Sequence, residues 1–265
     1  MKIAVYGNQC QDHKVEEIRA LFEALRASGA FIEVERGFLE YVKGLIPDVA
    51  ADKAVGDGDV SADVVVSIGG DGTFLRAAAW VGSRETPIFG VNTGHLGYLS
   101  DVSVADVSTF VAGLADGNFR IERRSLLQVD TNAGVALANR YALNEVAILK
   151  NASASMLAMD TAVDTTMLNT YLGDGLIIAT PTGSTAYNLS VGGPILHPAC
   201  SSFVLSPIAA HSLTMRPLVV PDTVEIAVTT RSERSHTFRI SVDGESLSLP
   251  IGSTIRLRKA DFCVN

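Results

Sequence analysis

One stretch, residues 63–76, constrains the fold of this chain more than any other. Residues 64–68 form a short apolar run rich in β-branched side chains, which is typical of a parallel strand buried on both faces. The run leads into the turn Gly69–Gly72, and Thr73 then predicts the N-cap of a helix over about 74–81. Glycines let a ligand approach the backbone, and a helix N-terminus offers free amides. The stretch therefore predicts a phosphate-binding site.

Asp71 lies in this turn, at the carboxyl end of the strand, where open α/β sheets bind their ligands. A carboxylate among phosphate-binding glycines repels phosphate, so it needs another role. It can hold a metal ion, accept a hydrogen bond from a sugar hydroxyl, or take the proton of that hydroxyl. The alternative is that these four residues form only a tight turn, in which Asp is a common turn former.

Composition excludes several classes of protein. The 265 residues are 47% hydrophobic with a mean hydropathy of +0.26, enough for a sizeable core in one or two domains. No apolar run approaches the roughly 18 residues of a membrane span, so we expect no membrane partner. Residues 3–6 predict a first strand rather than a signal peptide, because Gly7 interrupts the run too soon.

The cysteines indicate the redox state of the compartment, and the net charge limits the classes of partner. Cys10, Cys200 and Cys263 are far apart and lack metal-ligand spacing, which favours a reducing cytoplasm. With 21 basic and 29 acidic side chains the net charge is −8, which argues against nucleic acid as a partner. A phosphate-bearing ligand must then be held by backbone amides, a few basic residues and Mg²⁺.

Strand and helix signals alternate up to about residue 100. The predicted elements are strands at 2–6, 31–35, 63–68 and 87–91, and helices at 14–27, 38–45 and 74–81. The helix at 14–27 carries one apolar stripe, formed by Val15, Ile18, Leu21, Phe22 and Leu25. Residues 51–62, rich in Gly and Asp, predict a loop. This order indicates a Rossmann-like open α/β domain over residues 1–100 with a parallel sheet.

The pattern changes after residue 101. One more helix is predicted at 105–114, and short alternating stretches then follow at 126–131, 156–163, 224–230 and 236–242. Turn residues separate them, which is typical of antiparallel β structure. We therefore predict a β-rich, sandwich-like second domain over residues 101–249. The tail, about 250–265, contains a final strand at 254–258 and is expected to return to the first domain.

Three further segments carry chemical groups. A second glycine turn, residues 92–99, follows the strand at 87–91, so it should open on the same crevice as the first turn. Within it, His95 is a phosphate donor, a base or a structural residue, and Tyr98 lines a base pocket or packs at the domain hinge. Asn144 and Glu145 interrupt an apolar strand, which indicates either a ligand site or a strand-end irregularity such as a β-bulge.

The segment 173–194 is the most informative of the three. A short strand at 176–179 enters a turn rich in hydroxyls, and residues 185–190 predict a short helix. Hydroxyls and free amides can bind a purine edge or a ribose without adding charge, and Tyr187 offers an aromatic face for stacking. An ordinary loop is the lesser alternative, given the length and composition of the segment.

The ordered set of motifs resembles the NAD kinase family over nearly the whole chain. These motifs are Gly69-Gly-Asp-Gly-Thr73, Thr93-Gly-His-Leu-Gly97, Asn144-Glu145, Gly173-Asp-Gly-Leu176, Thr180-Pro-Thr-Gly-Ser-Thr-Ala-Tyr187 and Gly192-Gly-Pro194. Lipid kinases acting on diacylglycerol or sphingosine, and 6-phosphofructokinases, share the first motif. The run 180–194 resembles NAD kinases specifically.

The resemblance implies an α/β domain joined to a β-rich domain with NAD bound between them. It implies a Mg²⁺-dependent, or other divalent-cation-dependent, transfer of phosphate from ATP to the 2′-hydroxyl of the adenosine ribose, giving NADP. Asp71 matches the catalytic acid of the family. The other implied binding residues are Gly70, Gly72, Arg76, Tyr98, Asn144, Glu145, Asp174, Thr182, Thr185, Ala186, Tyr187, Asn188, Leu189, Ser190 and Glu245.

The chain departs from the family pattern at two places. Residues 151–172 contain no Arg or Lys, where the family commonly has Arg, and Lys150 lies at the edge of this segment. Glu245 follows Asp243-Gly244, where an uncharged or basic residue is expected. Both positions concern the nicotinamide side of the ligand.

Two other functions share part of this signal. A lipid kinase would need an apolar entrance or a basic membrane-facing patch, and the sequence indicates neither. A non-catalytic NAD sensor would gain nothing from a carboxylate beside the phosphates. We therefore predict a cytoplasmic NAD kinase that assembles as a homotetramer or homodimer, because family members are typically oligomeric and β-rich domains have edge strands that need cover.

Overall fold

The computed structural model describes residues 1–56, 58–93, 97–100, 102–151 and 156–265. His95, a candidate donor or base, lies outside the described residues. The chain divides into two compact units. The first unit is Met1–Glu122 with Val264–Asn265, and the second is Arg123–Cys263.

The first unit alternates strands and helices. Its elements are β1 (Lys2–Gly7), α1 (Val15–Ala27), β2 (Phe31–Glu35), α2 (Arg36–Leu45), β3 (Lys53–Val55), β4 (Val64–Ile68), α3 (Asp71–Val81), β5 (Ile88–Asn92), β6 (Val102–Ser103) and α4 (Val107–Ala115). Short 3₁₀ turns at Gly82–Arg84 and Val104–Asp106 follow α3 and precede α4.

The strands of this unit form one parallel sheet in the order β3-β2-β1-β4-β5-β6. Strand order reverses between β1 and β4, and in open α/β sheets the ligand crevice lies at such a switch point, outside the carboxyl ends of the strands. The turn Gly69–Gly72 follows β4 directly. The predicted Rossmann-like architecture is therefore confirmed, with the glycine turn at the switch point.

Buried apolar faces account for these elements. Every residue of β4 is buried, as expected for a central strand covered on both faces. The predicted stripe of α1 packs inward through Ile18, Leu21, Phe22 and Leu25. Fully burying a side chain of this size stabilises the fold by about 1.5–3 kcal/mol, so this stripe holds α1 on the sheet.

The prediction that Thr73 caps the helix is wrong. The helix begins at Asp71, two residues before Thr73, and its N-cap is Gly70. Thr73 is buried, its backbone N–H donates to the Gly70 carbonyl over 2.8 Å, and its hydroxyl accepts from Arg76 Nη2 at 3.4 Å. Thr73 is thus a residue within the first turn of the helix, and its hydroxyl contacts the Arg76 guanidinium.

The prediction of an unbroken loop at 51–62 is also wrong, because β3 lies within it. β3 pairs in parallel with β2, and Val55 is buried in a small apolar cluster. The Lys53 ammonium contacts the buried Glu33 carboxylate at 3.4 Å. The pairing with β2, the burial of Val55 and this ion pair all involve residues distant in sequence, and together they hold the segment in an extended form.

The division between the units falls at Glu122, later than the predicted boundary near residue 100. The reason is α4, because Val107 and Val111 pack in the same apolar core as the α1 stripe. At the carboxyl end, only Val264 and Asn265 return to the first unit. There the Asn265 carbonyl accepts the Ile88 N–H at 2.9 Å, and the Asn265 side chain donates to the Glu85 carbonyl at 2.8 Å.

The second unit is built mostly of strands. Its elements are β7 (Arg124–Thr131), β8 (Tyr141–Ala142), β9 (Glu145–Lys150), β10 (Leu157–Val163), β11 (Thr166–Gly173), β12 (Gly175–Ala179), α5 (Tyr187–Ser190), β13 (Ser202–Ile208), β14 (Leu218–Pro221), β15 (Ile226–Arg231), β16 (Thr237–Val242), β17 (Glu245–Pro250) and β18 (Thr254–Val264). A 3₁₀ turn at Thr182–Thr185 precedes α5.

These strands form two six-stranded sheets among the described residues, in the orders β11-β10-β15-β18-β7-β8 and β14-β13-β12-β9-β16-β17. Both sheets contribute to one apolar core, with Leu127 and Val228 from the first and Ile148 and Phe203 from the second. The predicted antiparallel sandwich is therefore confirmed. The chain changes sheets several times, and the first of these changes is at Leu143 and Asn144, between β8 and β9.

Within the part of the chain that the structure describes, each helix is too short or too polar to cross a lipid bilayer.

Candidate active site

Asp71, the first residue of α3, is held by the second glycine loop. Its carboxylate accepts three backbone N–H groups, from Tyr98 and Leu99 at 3.0 Å and from Ser100 at 3.3 Å. The approach is so close that a Cβ at Gly97 would lie 2.1 Å from Asp71 Oδ1, so any larger residue at position 97 would displace the carboxylate. The two glycine loops predicted to share a crevice thus meet at this carboxylate.

Three N–H donors do not exhaust the accepting capacity of Asp71. A carboxylate has about four lone-pair sites, so one remains for a further donor such as a sugar hydroxyl. Asp71 is partly exposed, which leaves that site accessible. The arrangement therefore fixes the orientation of the carboxylate and still permits it to accept a hydrogen bond or a proton.

The other predicted site residues of the first unit lie near Asp71 in sequence or in the loop that holds its carboxylate. Gly70 and Gly72 are exposed on either side of it, and an added Cβ at either position would meet no atom within 4 Å. Arg76 is exposed one turn later on α3, with its guanidinium near the Thr73 hydroxyl. Tyr98 is 72% exposed, so its ring is free of the apolar core of this unit. The start of α3 thus leaves its glycine backbone open to solvent, with a cation one turn later.

In the second unit, Asn144 and Glu145 are fixed by Asp243. The Asp243 carboxylate accepts the backbone N–H groups of Leu143 at 2.7 Å, Asn144 at 2.9 Å and Glu145 at 3.1 Å. Asp243 comes from the turn between β16 and β17, about a hundred residues later in the chain. The strand-end alternative proposed for this pair is thus correct in geometry, and it also brings the two side chains to a defined position.

Burial shifts the acidity of both carboxyl groups. Burial raises the pKa of Glu145 to about 7, with a further rise from the negative charge of Asp243, while the Tyr187 backbone N–H lowers it. Burial also raises the pKa of Asp243 to about 6, against the lowering effect of its three N–H donors. Near neutral pH Glu145 is therefore partly protonated, so it can donate as well as accept a hydrogen bond.

One oxygen of Glu145 stands out among the described residues. Its Oε2 atom is buried and has no hydrogen-bond partner within the described chain. Burying such an atom without a partner costs roughly 1–3 kcal/mol. A polar group of a ligand that reached Oε2 would remove this cost, which makes Glu145 a candidate contact.

The hydroxyl-rich segment packs directly on Asn144. The Thr180 N–H donates to the Asn144 carbonyl at 2.9 Å, and the Thr180 hydroxyl donates to the Leu143 carbonyl. A Cβ at Gly183 would lie 2.0 Å from the Asn144 carbonyl oxygen, so this position requires glycine. Thr182, buried in the turn, accepts from Arg124 Nη1 at 3.3 Å. The segment is thus held at the edge of β9, beside Glu145.

Residues 185–190 divide by exposure. Tyr187, Leu189 and Ser190 are exposed, and Thr185 and Ala186 are partly exposed. Asn188 is fully buried, and its amide donates to the Ser184 and Pro194 carbonyls at 2.9 and 3.1 Å and accepts from Ser206 Oγ at 2.6 Å. Asn188 therefore holds the segment together, whereas its exposed neighbours present the surface for a ligand.

Asp174 lies apart from this group. In the antiparallel pair of β9 and β12, Ala179 is opposite Glu145 and Gly175 is opposite Leu149. At 3.4 Å per residue, Asp174 is therefore on the order of 15 Å from Glu145 along the strand. Its carboxylate contacts the Lys150 ammonium at 2.7 Å. The basic residue at the edge of the segment that otherwise lacks Arg and Lys thus neutralises Asp174.

Two residues of these clusters were not predicted as site residues. From sequence, Asp243 indicates only an Asp-Gly turn, and Lys150 only a charge at the edge of a segment without Arg or Lys. The signal for Asp243 is weak, because an Asp before Gly is typical of any hairpin. Glu245, which was predicted, is exposed at the start of β17, and its charge contributes to the raised pKa of Asp243.

The described residues contain no group of three or more His, Cys, Asp or Glu side chains suited to a metal ion. Mg²⁺ ordinarily keeps several waters and binds through substrate phosphates with one or two carboxylates. The donor set therefore fits an ion that arrives with a nucleotide better than one caged by protein ligands alone.

Comparisons with known proteins agree with this description. Residues 49–119 match the model of the ATP-NAD kinase N-terminal domain, and residues 143–265 match that of the C-terminal domain. An NAD kinase of Bacteroides fragilis is 43% identical over 265 residues, covering 100% of this chain and 91% of that protein. An NAD kinase of Porphyromonas gingivalis is 44% identical over 260 residues, covering 98% and 89%.

Two solved structures share the fold. An NAD kinase from Archaeoglobus fulgidus in complex with ATP has a TM-score of 0.76 and 29% identity, covering 100% of this chain and 92% of that one. Yeast NADH kinase complexed with NADH has a TM-score of 0.88 and 21% identity, covering 98% and 78%. The second likeness concerns the fold alone.

Proposed function

This chain belongs to the NAD kinase family, and we infer that it transfers the terminal phosphate of ATP to NAD, giving NADP. The acceptor is the 2′-hydroxyl of the adenosine ribose. Full-length similarity to proteins named NAD kinase favours this function over that of a lipid kinase sharing only the first motif.

The observation that carries the catalytic assignment is the oriented carboxylate of Asp71, with one accepting site left. A ribose hydroxyl is a poor nucleophile whose proton must leave as the new P–O bond forms. We propose that Asp71 accepts a hydrogen bond from this hydroxyl and takes its proton late in the transfer, as Asp bases do in other kinases. An NAD sensor without turnover would have no use for such a group.

The first turn of α3 is proposed to bind phosphate. Its backbone amides and the positive end of the helix dipole favour an anion, and exposed Gly70 and Gly72 leave room for close approach. Arg76 adds a positive charge one turn later. Because the described residues offer no three-ligand metal cluster, we propose that Mg²⁺ enters with the substrate as MgATP, bound by its phosphates.

The second unit is proposed to bind the adenosine part of NAD. Asn144, Glu145, Thr185 and Tyr187 combine hydrogen-bonding groups with an exposed aromatic ring beside the unpaired Oε2 of Glu145. Ala186, Leu189 and Ser190 complete this surface, and Thr182, which is buried in the turn, stays a proposed contact. Asn188 acts indirectly by holding the segment in shape. Asp174 and Glu245 stay proposed ligand contacts. Because Asp174 lies far from Glu145 along the strand, the two would contact different parts of the ligand.

One assay tests the reaction. Purified protein is incubated with NAD, ATP and Mg²⁺, and NADP is followed with an NADP-specific dehydrogenase. We expect NADP to form at a rate proportional to enzyme and to stop without ATP. Parallel samples with diacylglycerol or sphingosine in place of NAD test the lipid-kinase alternative. Phosphorylated lipid without NADP would contradict the proposed function.

The assembly and location are also proposals. Among the described strands, β11 is at the end of its sheet and pairs with β10 alone, and it exposes the apolar side chains of Met167, Leu168 and Leu172. Such an edge promotes pairing with another chain unless it is covered. We propose that a second copy covers it, in a homodimer or homotetramer. No disulfide joins Cys10, Cys200 and Cys263 within the described residues, which supports the proposal of a cytoplasmic location, where thiols stay reduced.

A further inference from the structure

The connection between β1 and α1 contains a buried glutamine with an unusual set of contacts. Gln11 is only 4% exposed, although Gln is mostly a surface residue. Its backbone N–H donates to the Tyr41 hydroxyl at 2.7 Å, and that hydroxyl donates to Asp12 at 2.7 Å. Gln11 also precedes the regions matched by the family models, which begin at residue 49. The backbone of Gln11 is therefore held in place by Tyr41, whatever contacts its side chain makes.

The side chain of Gln11 joins three segments that follow neighbouring strands. Nε2 donates to the Asn8 carbonyl at 2.9 Å, after β1, and to the Ile68 carbonyl at 3.2 Å, at the end of β4. Oε1 accepts the Thr93 hydroxyl at 2.7 Å, after β5. Both amide hydrogens and one oxygen lone pair are thus used. These contacts lie at the switch point of the sheet.

Two of these contacts, those with Ile68 and Thr93, are connected to Asp71. Ile68 is followed by the glycine turn that carries Asp71 into α3. Beside Thr93, Asn92 Nδ2 donates to the Ser100 carbonyl at 3.1 Å, and the Ser100 N–H donates to the Asp71 carboxylate. Gln11 therefore links the backbone that presents Asp71 to the loop that holds its carboxylate.

We propose that Gln11 is a positioning residue for the catalytic carboxylate Asp71. It fixes the glycine turn and the second loop relative to one another without contacting either substrate. The proposal rests on the proposed function of Asp71 and extends it to a residue outside the known motifs. Neither Glu nor Met can replace Gln, because Glu lacks the two amide donors and Met lacks every polar contact.

The test compares Gln11→Met and Gln11→Glu with a matched control. Glu33→Met also replaces a buried polar residue of this sheet, whose carboxylate accepts Ser61 Oγ at 3.1 Å and Lys53 Nζ at 3.4 Å away from the glycine loops. All variants are assayed at a temperature where circular dichroism shows them folded. We expect kcat to fall about 10- to 100-fold for both Gln11 variants, the usual effect of small misplacement of reacting groups.

Binding and coupling measurements separate positioning from general loss of stability. The NAD dissociation constant should change less than about threefold in the Gln11 variants, while Glu33→Met should leave kcat unchanged. Thr93→Val removes the hydroxyl that donates to Oε1. The kcat losses of Thr93→Val and Gln11→Met should therefore be less than multiplicative when combined, because both remove the same contact. Multiplicative losses, or an unchanged kcat in folded Gln11→Met, would overturn the proposal.

Hydrogen exchange gives a readout that does not need activity. Backbone amides in residues 66–73 and 97–100 should exchange faster in both Gln11 variants, and at the wild-type rate in Glu33→Met. Unchanged exchange in both segments would overturn the positioning role, even if wild-type protein made no NADP. Absence of NADP formation by wild type, with faster exchange in the variants, would instead contradict the proposed function alone.

Discussion

At the scale of single residues, a substitution of Asp71 is the most direct test of whether a residue serves binding or the chemical step. Asn at this position keeps the size and one accepting oxygen but cannot take a proton. We expect Asp71→Asn to bind NAD within a few-fold of wild type while kcat falls about 10²–10⁴-fold, the usual contribution of a general base.

Whether the substitution changes kcat or KM distinguishes a catalytic role of Asp71 from a binding role. Steady-state kinetics with NAD and MgATP, together with an independent NAD binding titration, measure it. A loss confined to KM would make Asp71 a binding residue. A kcat within threefold of wild type would show that the base lies elsewhere.

Glu145 predicts a pH dependence of stability. Its pKa is raised from 4.5 to about 7 in the folded state, so the folded protein holds a proton that the unfolded chain releases. The associated stability is complete below about pH 4.5 and is lost as pH rises through about 7. Glu145→Gln cannot ionise and should avoid this loss. Its advantage over wild type should grow between pH 5 and 8 to the order of 1–3 kcal/mol.

Thermal unfolding of both proteins across this range measures the effect. The pKa of Asp243 is also raised, to about 6, so Asp243 contributes a loss of stability with rising pH in both proteins. The difference between the two proteins therefore reports mainly on Glu145. A difference in melting temperature that does not vary between pH 5 and 8 would contradict the assignment.

At the scale of elements, the 3₁₀ turn Thr182–Thr185 depends on close contact with the backbone of Asn144. A Cβ at Gly183 would lie 2.0 Å from the Asn144 carbonyl oxygen, and backbone cannot move aside easily. Gly183→Ala should therefore destabilise the fold by about 1–3 kcal/mol, as overpacking does, and weaken NAD binding.

Gly44→Ala is the matched control for that change. Gly44 lies in α2, and an added Cβ there meets no atom within 4 Å. Replacing it should stabilise the protein by about 0.5–1 kcal/mol, because Ala favours a helix interior. Chemical denaturation and an NAD titration measure both variants. Equal effects of the two substitutions would exclude the steric explanation for Gly183.

At the scale of the whole molecule, the exposed apolar side chains of β11 predict self-association. Light scattering at micromolar concentration should give a dimer or tetramer mass. Leu168→Glu should lower that mass, since a charge on an edge strand opposes pairing. Phe31→Glu, at an exposed apolar position in the first unit, should leave it unchanged. A monomer mass for wild type would contradict the proposal.

The sequence by itself determined the elements with strong local patterns. β4, the buried stripe of α1 and the alternating strands of the second unit follow from apolar periodicity, which acts over a few neighbouring residues. The glycine motifs also indicated their chemistry, because backbone conformation and close approach depend on local residue type. The same local reasoning identified Asp71, Asn144, Glu145 and Tyr187 as site candidates.

Only the tertiary structure decided what depends on distant partners. β3 exists through pairing with β2, and α4 belongs to the first unit because it packs on α1. Asp243 holds residues 143–145 across about a hundred positions, and Asn188 is buried by contacts that include Ser206. A local pattern carries no information about which remote groups will satisfy a buried carboxylate or amide, since many pairings suit the same residue. The physical reason is that burial and hydrogen-bond satisfaction are properties of the packed chain.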